Sequence, residues 1–295
     1  STAPMSASMP PSTASPVPNS GRPPARAGIS PRKTVLRGHV PEEGEYFAAR
    51  AGDSPFSPGT VLPLGAALPH PVPAWYHPSV PPERPIPFDY SVVHADRDLI
   101  VADKPHFLPT TTNGRLQRET LQTRLRVDSG EDDIVPLHRL DRLTAGLVIC
   151  SRNPETRAAY QRIFLEGSAV KRYRGVVKQP LFVDREIALR MRKPRGSRQV
   201  LVDPDGAPTS TVVRAAGRKV TMWPRTGHTH QLRVLLNYLG HPLLGDDTYP
   251  TPRELDLYDF RTPLALLHEA ITFIDPLSHS ERQFFSSQAL RTTIE

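Results

Sequence analysis

Two short segments hold side chains whose types and spacing suit chemistry. Leu137-His138-Arg139-Leu140-Asp141-Arg142-Leu143-Thr144-Ala145-Gly146-Leu147 sets one carboxylate between two arginines, in a turn that Gly146 ends. Thr226-Gly227-His228-Thr229-His230-Gln231-Leu232-Arg233 sets a glycine turn ahead of a helix that carries Arg233 in its first turns. A carboxylate nucleophile must be ionised, and a neighbouring guanidinium keeps its pKa low despite burial. Arginine suits that task because it stays charged and can bind a carboxylate through two hydrogen bonds. The same residues also read as plain architecture. Asp141 then is a capped, salt-bridged loop residue, and Arg233 with Asn237 is a solvated helix face. On these residues alone both readings stay open.

Several other chemistries are excluded. There is no GxxxxGK[ST] phosphate loop and no GxGxxG after a strand. His138-Arg139-Leu140-Asp141 differs from a kinase catalytic loop by an extra leucine, and the downstream Asn and DFG are missing. His228, His230, His241, His268 and His138 lack an HExxH or HxHxD pattern to complete a zinc site. They are expected to be hydrogen-bonding or ligand-facing histidines, with no metal bound.

Regular elements must position these segments. Strand-forming runs occur at 98–104, 146–151, 173–178, 210–214, 220–223 and 270–274. A first helix is expected over 119–127. A second has Asn153 as its N-cap and Pro154 in its first turn, and runs to Glu166 before Gly167. A third places Leu232, Leu235, Leu236 and Leu239 at i, i+3, i+4 and i+7 and stops at Gly240. Strands and helices in no strict βαβ alternation make the fold class α+β.

Composition divides the chain. Of its 34 prolines, 20 lie at or before Pro87, so a compact fold starting at residue 1 is excluded. Residues 1–35, rich in Pro, Ser and Ala, are expected to be a disordered tail. Residues 36–88 are expected to wrap over the main domain as a Pro-rich extension, and 89–295 to form the catalytic domain. Lys and Arg number 37 against 30 Asp and Glu, which favours a polyanionic partner. The lone Cys150 excludes an intrachain disulfide framework and fits a reducing compartment. No run of 18 apolar residues suggests a membrane span. Prolines break the amphipathic helix of an organelle transit peptide, and no apolar secretion segment is present. A cytoplasmic monomer is expected.

The two segments bear a resemblance. HRLDRLTAGL resembles the HRLDxxTSGL signature of the RluA-like pseudouridine synthases, and TGHTHQLRVLLNYLGHPLLGD is similar to their TGRTHQIRVHLxxLGHPIxGD segment. Lys171-Arg172-Tyr173 resembles the family's KxY strand, and Asp103-Lys104-Pro105 its DKP. Four motifs in the family's order, from about Asp89 onward, make the resemblance specific. It implies one catalytic domain on a mixed, largely antiparallel sheet, with flanking helices and a central cleft. It further implies an enzyme that isomerises uridine to pseudouridine in ribosomal or transfer RNA, without cofactor or metal.

By the resemblance, Asp141 is the nucleophile, attacking ribose C1′ or uracil C6. Tyr173 stacks on the base, Arg233 pairs with the carboxylate, Leu232 packs beside the base and Arg139 reaches into the RNA. His138 and His228 are further expected to contact substrate. His228 stands where the family has Arg, which makes a contact there sensitive to pH, and Ala145 stands where it has Ser. Separately, Arg185, Arg190, Arg192, Lys193, Arg195 and Arg198 put six cations into fourteen residues, as a basic loop gripping phosphates or as ordinary solvated surface. The competing readings are a catalytically silent RNA-binding protein of the same fold and a histidine metallohydrolase.

Overall fold

The computed structural model describes residues 20–254 and 256–292. Its first half forms β1 (Arg32–Leu36), β2 (Tyr46–Ala48), β3 (Val72–Tyr76), β4 (Ser91–Ala95), β5 (Leu99–Lys104), α1 (Leu121–Ser129), β6 (Val135–Pro136) and β7 (Ala145–Ser151). Then follow α2 (Arg157–Leu165), β8 (Val170–Arg192), β9 (Leu201–Val202), β10 (Ala207–Pro224), α3 (Gln231–Tyr238), β11 (Leu266–Ile274) and β12 (Glu281–Phe285).

β5 and β7 are buried along their whole length, and the two-residue period of a strand sorts their side chains into two cores. Leu99, Val101, Leu147 and Ile149 pack with Tyr160 of α2 and with Ile271 and Phe273 of β11. Ile100, Ala102, Val148 and Cys150 face the other way, into a core with Leu121 and Leu125 of α1 and Leu232, Leu235 and Leu236 of α3. Each such Leu, Ile or Val contributes about 1.5–3 kcal/mol by leaving water. The strand order is β10-β8-β11-β7-β5-β4, with β12 beside β11, β6 beside β7 and β9 beside β8. Only the β11–β7 pair is parallel, so the sheet is mixed and largely antiparallel. The fold class is α+β.

All three expected helices form, with shifted ends. Thr120 caps α1 by accepting the Thr123 amide at 3.1 Å. Asn153 caps a turn instead of α2, accepting the Glu155 amide at 3.1 Å, and the helix begins at Arg157. The expected strand runs at 173–178, 210–214 and 220–223 are parts of one long ribbon. β8 and β10 pair antiparallel from Met191–Ala207 to Tyr173–Met222, with a register shift at Gly217/Lys219. One ribbon face is buried, with Leu181, Ile187, Met191, Val213 and Ala215 in the main core, and the charged Asp184-Arg185-Glu186 interrupts the apolar alternation of β8.

The expected disordered tail needs correction from residue 20 onward; residues 1–19 lie outside the described residues. β1 starts at Arg32, inside that segment, and joins a three-stranded sheet of order β1-β3-β2. Leu36, Val40, Ala48, Leu62, Leu68, Val72 and Ala74 form its small core. Prolines at strand starts and edges are compatible with short strands, so their abundance alone misleads. Arg126 of α1 donates to Gly28 O and Ser30 Oγ at 3.2 and 2.7 Å, and Glu83 accepts the amides of Gln117, Arg118 and Glu119 at 2.8–2.9 Å. These bonds tie residues 20–88 to α1 and the segment before it. Among the described residues no helix is long and apolar enough to cross a membrane.

Candidate active site

The Asp141 turn is pinned from below by the end of β5 and the segment after it. The Lys104 ammonium, fully buried, donates to the carbonyls of Pro105, Leu108 and Arg142 at 3.0, 2.7 and 3.2 Å. Thr110 Oγ1 donates to Leu140 O at 2.7 Å and accepts the Leu140 amide at 3.1 Å, while His106 Nδ1 meets Leu143 O at 2.6 Å. Behind them, Asp103 accepts the Ser287 amide at 2.8 Å and Gln288 Nε2 at 2.6 Å. The turn ends at Gly146, whose φ is +122° and whose missing Cβ leaves room for the backbone of His268. β7 and β11 meet there in parallel, so the end of the Asp141 turn abuts His268.

Arg233 reaches Asp141 from α3. Its Nη1 donates to Asp141 Oδ2 at 2.9 Å; its Nε and Nη2 clasp both oxygens of Asp246 at 3.0 and 2.7 Å. Nη2 also reaches Asp247 at 2.9 Å. The arginine side chain is 4% exposed, whereas Asp141 is 34% exposed, which leaves the nucleophile candidate open to the cleft and its partner enclosed. Burial works to raise the Asp141 pKa, but the Arg233 guanidinium, by charge and hydrogen bond, and Lys104 hold it below the ordinary carboxylate range. Burial would likewise weaken the Arg233 charge, and Asp246 and Asp141 more than offset it. The carboxylate is ionised and the guanidinium is fixed.

His230 precedes α3 in the left-handed conformation, with φ +56°. Its Nδ1 lies 2.9 Å from the Tyr249 hydroxyl, which itself accepts the Val200 amide at 2.8 Å. The other ring nitrogen, Nε2, lies 3.9 Å from Asp141 Oδ2. Burial lowers the His230 pKa and favours the neutral imidazole.

Tyr173 lines the same cleft and is 8% exposed. Burial, and then the charge of Asp141, push its hydroxyl pKa up, so it is a neutral phenol. Its ring stacks on His268 at 4.5 Å between centroids and 17° between planes. His268 meets Leu147 O through Nδ1 at 2.7 Å and stands edge-on to His138 at 5.5 Å. His138 accepts the Ile149 amide at Nε2 and stacks on Phe164 at 5.0 Å.

Burial holds His106 down to about 4, His268 to about 3 and His138 well below its usual value. Unfolded, each takes up a proton near pH 6.5. As pH falls from there toward 4, the unfolded state binds protons that the folded state refuses. Stability should therefore drop, with these three groups contributing a slope of up to about 4 kcal/mol per pH unit. Urea titrations of His268→Phe should show a slope shallower by about 1.4 kcal/mol per pH unit. An unchanged slope would contradict a neutral buried His268.

The cleft measures about 1380 Å³, and Asp141, Tyr173, Arg233, Leu232, His138 and His228 all line it. Arg139 is exposed on its wall with no ion-pair partner among the described residues. The basic cluster divides differently from the expectation. Lys193 and Arg198 line the cleft, but Arg185, Arg190 and Arg192 belong to β8, and Arg195 does not line the cleft. Arg190 donates to Gly206 O at 3.0 Å and Arg192 to Asp203 at 2.7 Å, so these two brace the ribbon. The cause is that 185–192 form a strand and only the segment from Lys193 is loop. No three metal-ligating side chains gather among the described residues.

Sequence reasoning placed Lys104 only in a motif and His230 and His268 only among general hydrogen-bonding histidines, and gave no role to Thr110, Asp246, Asp247 or Tyr249. The Asp246-Asp247 pair was the available signal, since two adjacent carboxylates near an apolar helix call for a cation. Positions 13 and 14 residues beyond Arg233 meet it only through the turn after α3.

The sequence pattern described as RNA pseudouridylate synthase matches residues 98–238, which hold the Asp141 turn, Tyr173 and Arg233. The dual-specificity RNA pseudouridine synthase RluA of Salmonella typhi is 30% identical over 66% of this chain and 90% of that protein. An uncharacterized RNA pseudouridine synthase of Synechocystis is 32% identical over 59% of the chain. The chain spans 62% of that protein, and 42% and 61% of relatives from Caenorhabditis elegans and Arabidopsis thaliana. In fold it matches the human RNA pseudouridylate synthase domain containing 1 protein, with a TM-score of 0.53 over 70% of this chain and 91% of that one, at 20% identity. A pinned Asp on a mixed sheet, an arginine delivered to it by α3, and a Salmonella protein matched over nine-tenths of its length agree on one conclusion: this chain is a member of the RluA-like family of pseudouridine synthases.

Proposed function

We propose that the chain isomerises specific uridines to pseudouridine in ribosomal or transfer RNA, with Asp141 as nucleophile and residues 89–295 as the catalytic domain. The observation that carries this reading is the ionised Asp141 carboxylate, 2.9 Å from Arg233 and open to a cleft shared with Tyr173. Pseudouridine has the same atoms as uridine, so the reaction calls for no oxidant, reductant or group donor. In one form of the step, an Asp141 oxygen bonds to ribose C1′ and the C1′–N1 electron pair leaves with the uracil. The uracil turns, C5 bonds to C1′ and frees the carboxylate, and the C5 proton is lost while N1 gains one. In the alternative form Asp141 first bonds to uracil C6.

A uridine leaves its stack to meet Asp141 at a cost of a few kcal/mol, and stacking on Tyr173 returns about 1–3 kcal/mol. His268 backs one face of the Tyr173 ring, which leaves the other for the base. Leu140, Leu143 and Leu232 are buried side chains of the cleft and keep water from the glycosyl intermediate. His138, through its bond to β7, acts on substrate indirectly by bracing this column. The chain is read as a cytoplasmic monomer, which the single buried thiol of Cys150 suits.

Arg139 and Lys193 are exposed cleft cations without ion-pair partners among the described residues, which fits phosphate contacts. Changing both to Gln should reduce the slope of log affinity against log salt by about 2, since each phosphate contact contributes about one. The same change at Arg190 and Arg192 should leave it nearly unaltered. Equal slopes for both pairs would refute this division. The activity itself is tested by mapping pseudouridines across the RNA of host cells with and without the gene. A defined set of uridines should lose the modification when the gene is absent, and identical maps would overturn the reading.

A further inference from the structure

We propose that Lys171 binds a backbone phosphate of the nucleotide drawn into the cleft, an inference that rests on the cleft taking uridine within RNA. Lys171 stands on β8 two residues before Tyr173, so both side chains leave the strand on one face. Both line the cleft that Asp141 lines. Lys171 is half-buried, yet among the described residues its side chain has no ion pair and no hydrogen bond. Burial lowers its pKa, and no carboxylate offsets the effect.

Two other buried cations of this site are matched, whereas Arg142 on the cleft wall keeps a buried Nη1 without a hydrogen-bond partner. Lys104 meets three carbonyls, and Arg233 meets three carboxylates. Opposite Lys171 stands Gly227, where even the position of an added Cβ would lie 4.0 Å from Nζ. A gap lined by an uncompensated ammonium on one side and a side-chain-free loop on the other suits an anionic oxygen. The negative groups a nucleotide in RNA carries are its phosphodiesters. Asp141, whose charge does not offset that of Lys171, would then meet the sugar or base while Lys171 holds the backbone. Arg139 and Lys193 are exposed and suit flanking strand, whereas Lys171 is within reach only of the nucleotide that enters.

The test uses the full chain and a stem-loop RNA carrying a uridine that the wild-type protein converts. Single-turnover rates against protein concentration separate half-saturation from maximal rate. Lys171→Met should raise the half-saturation concentration about tenfold, as expected for a hydrogen bond to a charged group. The loss should fall on half-saturation more than on maximal rate, and Lys171→Arg should recover most of it. The melting temperature of Lys171→Met should equal or exceed that of wild type, because an unpaired half-buried charge is removed. A stem-loop with a neutral methylphosphonate on the 5′ or 3′ side of the target uridine should weaken wild type at one of the two positions. Lys171→Met should be indifferent at that position. Unchanged half-saturation, a loss confined to maximal rate, or losses that add at both positions would each overturn the proposal. If wild type converts no uridine in any RNA, the functional reading fails instead.

Discussion

Asp141→Asn should abolish pseudouridine formation, a loss of at least roughly 10⁴-fold, while the folded protein persists and RNA affinity stays within about tenfold. An amide is close in shape to the carboxylate but is neither charged nor nucleophilic. Arg233 keeps Asp246 and Asp247, so the buried cation is still paired after the change. The melting temperature should move by no more than about 4 °C, which corresponds to about 1 kcal/mol for a chain of this size. Binding is spared because phosphate contacts away from Asp141 carry most of it. Filter binding and thermal melts check both parts. A large loss of affinity, or a collapse of stability, would make Asp141 a structural residue.

Arg233→Ala should be damaging in two ways at once. It removes the partner of Asp141 and leaves the buried Asp246 without its cation, while Asp247 keeps only Arg198 at 3.6 Å. Breaking a buried pair in this way costs about 3–5 kcal/mol. At 2–4 °C per kcal/mol the melting temperature should fall by about 10 °C. Conversion should be undetectable even at temperatures where the variant is folded. Arg233→Lys separates the two effects. A lysine keeps the charge but lacks the fork that clasps Asp246 and reaches Asp141 together, so stability should partly recover while the rate remains down about a hundredfold. If Arg233→Lys were fully active, the fixed geometry of the guanidinium would be irrelevant to the reaction.

The strongest local patterns were legible. The leucine stripe of α3 at helical spacing, and the continuous apolar runs of β5 and β7, announce elements with one or both faces buried. The pairing of Asp141 with Arg233 was implied only by the family resemblance of two motifs 92 residues apart, and the fold brings them to 2.9 Å. What escaped was set by tertiary context. The β8–β10 ribbon buries one face, but the charges of Asp184, Arg185 and Glu186 interrupt the two-residue apolar pattern of β8. Residues 32–76 hold three strands among many prolines, because strands of three to five residues need little uninterrupted chain. The clasp of Arg233 by Asp246 and Asp247, and the anchoring of the Asp141 turn by Lys104, depend on loops whose paths no periodicity encodes. The six-cation cluster looked like one loop because charge density, unlike hydrophobic spacing, carries no information on whether a chain is strand or coil.

The most direct test incubates purified wild-type protein and Asp141→Asn with RNA taken from cells lacking the gene, and maps pseudouridine at nucleotide resolution. Wild type should restore the modification at defined uridines, and the variant at none of them. The same restored positions with both proteins would show that this carboxylate does not carry out the reaction.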